Sequence, residues 1–213
     1  MFLKRGSSKL KRLVVWISLI LFIGLAFTFE KPLSVKFDEK ILLFFESIRT
    51  NFLTVAFYVF TEIGSFKILL PITIIVSIFL IYKKRFIEFA FLMIAFWGVR
   101  GVNTLLKGWF ERERPSFHSL IEVGGFSFPS GHAMNSTVVF GFLFYLFLHI
   151  LNVRQKNRMM WLLATIAIVS LIAISRVYLG VHYPTDIVAG AGCGLLYLFI
   201  IIYLYQLTLR LKR

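Results

Sequence analysis

The chain has 213 residues, 59% of them hydrophobic, with 25 phenylalanines and a mean hydropathy of +0.84. That is too apolar for an ordinary soluble domain, and several spans of about 20 residues leave room for only one domain, residues 1–213. The formal net charge of +14 invites a nucleic-acid reading that depends on where the charges lie, while a single cysteine, Cys193, excludes an intramolecular disulfide or thiolate metal cluster.

Taken in chain order, a basic stretch precedes a first apolar span, Leu13–Phe29. It resembles a signal peptide, but Phe27-Thr28-Phe29-Glu30 offers no small-residue cleavage site, so a retained N-terminal anchor over 13–29 is expected. Val35, Phe37, Ile41, Leu42, Phe45 and Ile48 then recur at helical spacing, with Asp38, Glu39, Lys40, Glu46 and Arg49 between them. This 35–49 segment is expected as an amphipathic helix on the outer surface, lining a lipid entry route or packing on the bundle as a lid.

Five further spans are expected at Phe66–Tyr82, Phe86–Leu106, Ala133–Leu151, Met159–Ile174 and Ile187–Leu207, with a catalytic core over about 66–207. All should be helical, because an apolar segment in lipid must satisfy its own backbone hydrogen bonds. The fold class is therefore all-α, a six-transmembrane-helix bundle.

Fourteen basic residues bracket these spans in four acid-free clusters: Lys4 to Arg12, Lys83 to Arg85, Arg154 to Arg158, and Arg210 to Arg213. The intervening loops mix both signs. The positive-inside rule places both termini in the cytoplasm, accounts for the charge excess without nucleic acid, and leaves membrane lipids as neighbours.

Three segments then fall at the same outward face: Lys107 to Pro115, Phe128 to His132, and Ser175 to Asp186. If the third span continues to Pro115, Lys107 and Arg114 lie two turns apart on one side, a pair of fixed cations suited to phosphate. Pro129 is placed to open the fourth span, so the backbone N–H groups of Ser130 and Gly131 are expected to be free at a positive helix end, with His132 able to give a proton to a leaving oxygen. Arg176 offers a planar fork for phosphate oxygens. Asp186, in the first turn of the sixth helix, can reach back to His182, fix its tautomer and leave the other ring nitrogen as a nucleophile. No metal-ligand pattern accompanies the histidines.

These residues carry a resemblance. Lys107 followed by six residues and Arg114-Pro115, then Pro129-Ser130-Gly131-His132, then Ser175-Arg176, five residues, His182, three residues and Asp186 are similar to the three signatures of the type 2 phosphatidic acid phosphatase superfamily, which shares its site with vanadium haloperoxidases and bacterial nonspecific acid phosphatases. The resemblance implies a metal-independent, cofactor-free lipid phosphatase in a bacterial cell membrane. It implies attack by His182 to give a phosphohistidine, protonation of the leaving oxygen by His132, orientation of His182 by Asp186, and phosphate binding by Lys107, Arg114, Ser130, Gly131 and Arg176.

The implied lipid phosphate substrates are undecaprenyl diphosphate and phosphatidylglycerol phosphate, nearly level, then phosphatidic acid. Transfer of the phosphoryl group to an acceptor lipid is the alternative reaction. A channel or transporter is disfavoured because, apart from Arg100, the spans hold almost no charge below the outer face. Arg100, about 10 Å below Lys107 on the same side, either supports the site or pairs with an acid. His118 either touches a headgroup or is solvated; Glu111, Glu113 and Glu122 read as solvated loop charge first, with tuning or exclusion of substrates as the alternative, Tyr178 and Tyr183 as membrane-interface aromatics, and Cys193 as a small helix-packing residue. Oligomeric state is not readable.

Overall fold

The computed structural model describes residues 5–116, 119–150 and 155–212, and every regular element among them is helical. The order is α1 (Arg5–Thr28), α2 (Pro32–Ser47), α3 (Asn51–Ile63), α4 (Phe66–Tyr82), α5 (Phe86–Met93), a π turn (Ile94–Gly98), α6 (Val99–Phe110), α7 (Gly131–Ile150), α8 (Gln155–Tyr178) and α9 (Pro184–Leu211). Local chemistry sets several boundaries. Pro32 and Pro184 open α2 and α9 at first-turn positions where a missing N–H costs nothing. Thr50 caps α3 by accepting the Leu53 N–H at 3.2 Å. Glu111 stops α6 in a left-handed conformation, φ 46°.

Among the described residues five helices are long and apolar enough to cross a membrane: Lys9–Thr28, Phe86–Phe110, Gly131–Ile150, Asn157–Tyr178 and Pro184–Leu211. The pair α3 and α4, bent by 44°, makes up to six. The expected second span over Phe66–Tyr82 coincides with α4, which at 17 residues, about 26 Å, is short of the hydrocarbon thickness alone and reaches crossing length together with α3 across the bend at Gly64 and Ser65. At the bend the backbone passes close to its neighbours: a Cβ on Gly64 would lie 2.3 Å from Ile172 and 3.2 Å from the His132 ring.

The π turn interrupts the third span, and the Tyr197 hydroxyl donates to the Ile94 carbonyl there at 2.9 Å. Leu80, Leu92, Val99, Met134, Val138, Phe142 and Ile201 form the main core, with Cys193 packed against it. The central helix is α9, pressed against α7: a Cβ on Gly190 would stand 2.6 Å from the Ser130 carbonyl, and one on Gly194 2.9 Å from that of Met134.

Between the first spans, α2 buries Leu42 and Asp38, so of its two expected roles packing on the bundle is the one observed. By chain direction, Lys9 to Arg12, Lys83 to Arg85, and Arg210 with Lys212 fall at the end of the bundle away from the three signature segments. Lys4, Arg154 and Arg213 lie outside the described residues, as do His118 and the Leu151 boundary.

Candidate active site

The three signature segments meet at one end of the bundle. His182, in the short turn between α8 and α9, is 2% exposed. Its Nδ1 lies 3.2 Å from Asp186 Oδ2 and 3.2 Å from Ser127 Oγ, and its Nε2 lies 3.2 Å from Arg114 Nη1. The Asp186 carboxylate fixes the proton on Nδ1 and leaves the Nε2 lone pair facing the cations. Burial pushes the imidazole down to about 3, against the pull of Asp186 and with help from Arg176 and Arg114, so the ring is neutral at physiological pH.

Asp186 is held by four donors. Its Oδ1 accepts from Arg112 Nη1 at 2.6 Å, and its Oδ2 accepts from the Tyr183 N–H at 2.9 Å, from Ser127 Oγ and from His182. Arg112 extends this network to α2: its Nη2 donates to Asp38 Oδ2 at 2.8 Å, and its guanidinium stacks on Tyr183 at 3.9 Å. Thr185 closes the network, its N–H and hydroxyl donating to Asp38 at 3.0 and 2.6 Å.

The cations converge by a route other than the expected one. Because α6 ends at Phe110, Arg114 does not continue the helix of Lys107; instead the chain turns back at Glu111. Lys107 Nζ and Arg114 Nη2 nevertheless meet at the Phe126 carbonyl, the latter at 3.2 Å. Arg114 also donates to the carbonyls of Gly124, Gly125 and Val181. Burial lowers its pKa, opposed by Asp186. A cleft of about 630 Å³ opens beside Arg114, lined also by Pro115, Ser119, Glu122 and Gly124.

Arg176 enters from the last turn of α8, 2% exposed, with Nη1 on the Thr61 hydroxyl and Nε without a hydrogen-bond partner among the described residues. Ser130 Oγ is likewise buried and unpartnered. The Ser130 N–H is not free as expected, for it donates to the Asp186 carbonyl at 3.0 Å and so ties α7 to α9. Gly131 begins α7, where a Cβ would crowd Asn103 Oδ1 at 2.8 Å. Asn103 in turn donates to the Pro129 carbonyl at 3.2 Å. His132 sits one residue on, within electrostatic reach of Arg176, His182, Arg100 and Arg114, and its imidazole makes no hydrogen bond among the described residues.

Every residue singled out for the site is thus brought together. The supporting set, Asp38, Arg112, Ser127, Thr185 and Asn103, was not anticipated. In the sequence Asp38 reads only as one of several charged residues between the apolar positions of 35–49, and Arg112 is given no role within the Lys107 to Pro115 segment. Tyr178 is not an interface aromatic, being fully buried with its hydroxyl 3.0 Å from that of Thr54, while the partly buried Tyr183 stacks on Arg112.

Comparison with known proteins agrees with this geometry. Phosphatidylglycerophosphatase B of Bacillus subtilis is 35% identical over 142 residues, which is 66% of this chain and 70% of that protein. The crystal structure of a transmembrane PAP2 type phosphatidylglycerolphosphate phosphatase from Bacillus subtilis superposes with a TM-score of 0.85 at 31% identity, covering 90% of this chain and 96% of that one. Aquifex aeolicus LpxE shares the fold, with a TM-score of 0.61 at 24% identity, over 78% of this chain and 95% of its own. The model of the PAP2 superfamily matches residues 85–210, the stretch that holds all three site segments, and the chain belongs to that superfamily.

Proposed function

We propose that the protein is a metal-independent membrane lipid phosphatase that works through a phosphohistidine on His182. The observation that carries this is the line Asp186–His182–Arg114: a buried neutral imidazole with one nitrogen held by a carboxylate and the other turned to the cations. His182 Nε2 attacks phosphorus, the N–P bond forms, and the P–O bond to the lipid breaks as His132 protonates the departing oxygen. Water then attacks the phosphohistidine with His132 as base, releasing phosphate and restoring the imidazole. Lys107, Arg114 and Arg176, with the Ser130 hydroxyl and the backbone at Gly131, hold the phosphoryl oxygens and stabilise the charge of the transition state.

The name of the Bacillus subtilis relative favours phosphatidylglycerol phosphate as substrate, with undecaprenyl diphosphate next. The site is assigned to the outer face, with the termini in the cytoplasm, because the basic clusters lie at the opposite end of the bundle. A Ser119→Cys protein in intact cells should react with an impermeant maleimide; reaction only after permeabilisation would reverse the orientation.

The direct test is phosphate release by detergent-purified protein, with excess chelator, from phosphatidylglycerol phosphate, undecaprenyl diphosphate and phosphatidic acid. Chelator-resistant release is expected, reduced by about 10⁴-fold or more in His182→Ala and by about 10³-fold in Asp186→Asn, whose fold should persist. Full activity of His182→Ala would falsify the mechanism. No release by the unaltered protein from any of the three would favour transfer to an acceptor lipid.

A further inference from the structure

Five buried side-chain atoms among the described residues lack a hydrogen-bond partner: Ser65 Oγ, Arg100 Nη1, Ser130 Oγ, Asn135 Oδ1 and Arg176 Nε. They are not scattered. Ser130 lies two residues before His132 and Asn135 one helical turn after it. Ser65 follows Gly64, whose backbone abuts the His132 ring. Arg176 and Arg100 both reach His132 electrostatically. Each such atom calls for an explanation, and four of them, on Ser65, Arg100, Ser130 and Arg176, are donors that can meet the oxygens of a ligand.

Ser130 and Arg176 are already assigned to the phosphoryl group under attack. Ser65 and Arg100 remain as donors, at the start of α4 and in α6, with Arg100 against the ring of Phe66 that follows Ser65; the Asn135 oxygen only accepts and so does not face an anion. Arg100 precedes Lys107 by two turns on the same face of α6, about 10 Å along the axis. No carboxylate among the described residues pairs with it; its guanidinium is held instead on the rings of Phe66, at 4.3 Å, and Phe96, at 5.3 Å. Stacking of this kind keeps the guanidinium planar and charged while its edge donors stay available to an anion.

We infer that Arg100, with Ser65, forms a second anion subsite that binds a phosphate on the leaving-group side of the scissile bond. The inference rests on the phosphatase reading, in which His132 protonates the leaving oxygen and so marks the side on which the departing lipid lies. Two lipid classes present such a group: a lipid diphosphate, whose second phosphate is joined directly through that oxygen, and a phosphomonoester whose leaving group carries a phosphodiester. Phosphatidic acid has neither. Arg100 is therefore a specificity-determining residue that favours lipids with two phosphates.

The test compares kcat/KM of the unaltered protein, Arg100→Gln and Arg100→Lys on undecaprenyl diphosphate, phosphatidylglycerol phosphate and phosphatidic acid, with thermal unfolding of each protein measured alongside. Loss of one charge-assisted contact should lower kcat/KM at least about tenfold more for a two-phosphate lipid than for phosphatidic acid, with a smaller selective loss in Arg100→Lys. Selective loss on the diphosphate arm alone, or on the phosphodiester arm alone, identifies the ligand. Equal losses on all three lipids, or none on any, overturn the subsite. If Arg100→Gln does not fold, Arg100→Lys and Ser65→Ala decide by the same ratio. Unaltered protein that cleaves phosphatidic acid but neither two-phosphate lipid sinks the subsite and leaves the phosphatase standing; no release from any lipid sinks both.

Discussion

The two halves of the site differ in how their polar groups are met. On the nucleophile side, Asp38, Arg112, Ser127, Thr185 and Asp186 satisfy one another and hold one nitrogen of His182. Around His132, five buried atoms have no partner among the described residues and the imidazole itself makes no hydrogen bond. Each unmet group costs about 1–3 kcal/mol in a dry interior, a large sum beside a typical folding stability of about 5–15 kcal/mol. Under the proposed function, the side whose groups meet one another is a rigid half that aims His182, and the other is a half left open to polar atoms of a ligand.

The largest expected break in that comparison comes from Arg112. Its two buried ion pairs join α2 to the first turn of α9, and Arg112→Met leaves Asp38 and Asp186 buried without their counter-charge. A loss of about 3–5 kcal/mol in unfolding free energy is expected, with activity falling because Asp186 no longer fixes His182. Denaturant unfolding in detergent measures it, and adding Asp38→Asn should recover part of the stability. A variant as stable as the parent would show that the rigid half does not depend on this arginine.

On the open side, His132→Gln is expected to reduce release from a lipid substrate about 10²-fold, the contribution of a general acid. In the first-turnover burst of p-nitrophenol from p-nitrophenyl phosphate, whose leaving group departs without a proton and before the step in which His132 acts as base, the loss should shrink to within about tenfold. Equal losses on both substrates would remove His132 from the leaving-group side.

Much of this division was legible in the sequence. The spacing of Lys107, Arg114, Ser130, His132, Arg176, His182 and Asp186 located the site because each signature is short and bound to a helix end. The supporting residues were not legible because their partners are far along the chain: Asp38 meets Thr185 across 147 positions and Arg112 across 74, and hydropathy alone cannot distinguish an acid that faces water from one that faces a buried arginine. The same limit hid α3. Its apolar run is shorter than a membrane crossing, and it reaches crossing length only together with α4 across the 44° bend. The free Ser130 N–H was misjudged for a related reason, since its acceptor is the Asp186 carbonyl on another helix.

The smallest expected effect concerns the charge state of His182. Its imidazole is held at about 3 in the folded chain, against about 6.5 in an unfolded one. Between those values the unfolded chain binds a proton that the folded chain does not, so stability rises with pH across the window and is lost as pH falls from about 6.5 toward 3. From pH 7 to pH 5 this one group should remove up to about 2 kcal/mol. His182→Gln keeps the buried neutral side chain and deletes the titration, so its unfolding free energy should depend less on pH by that amount. If both proteins lose stability in parallel, the folded imidazole takes up its proton near the ordinary value, and the rigid half then holds a cation at pH 5 where the mechanism requires a neutral nucleophile.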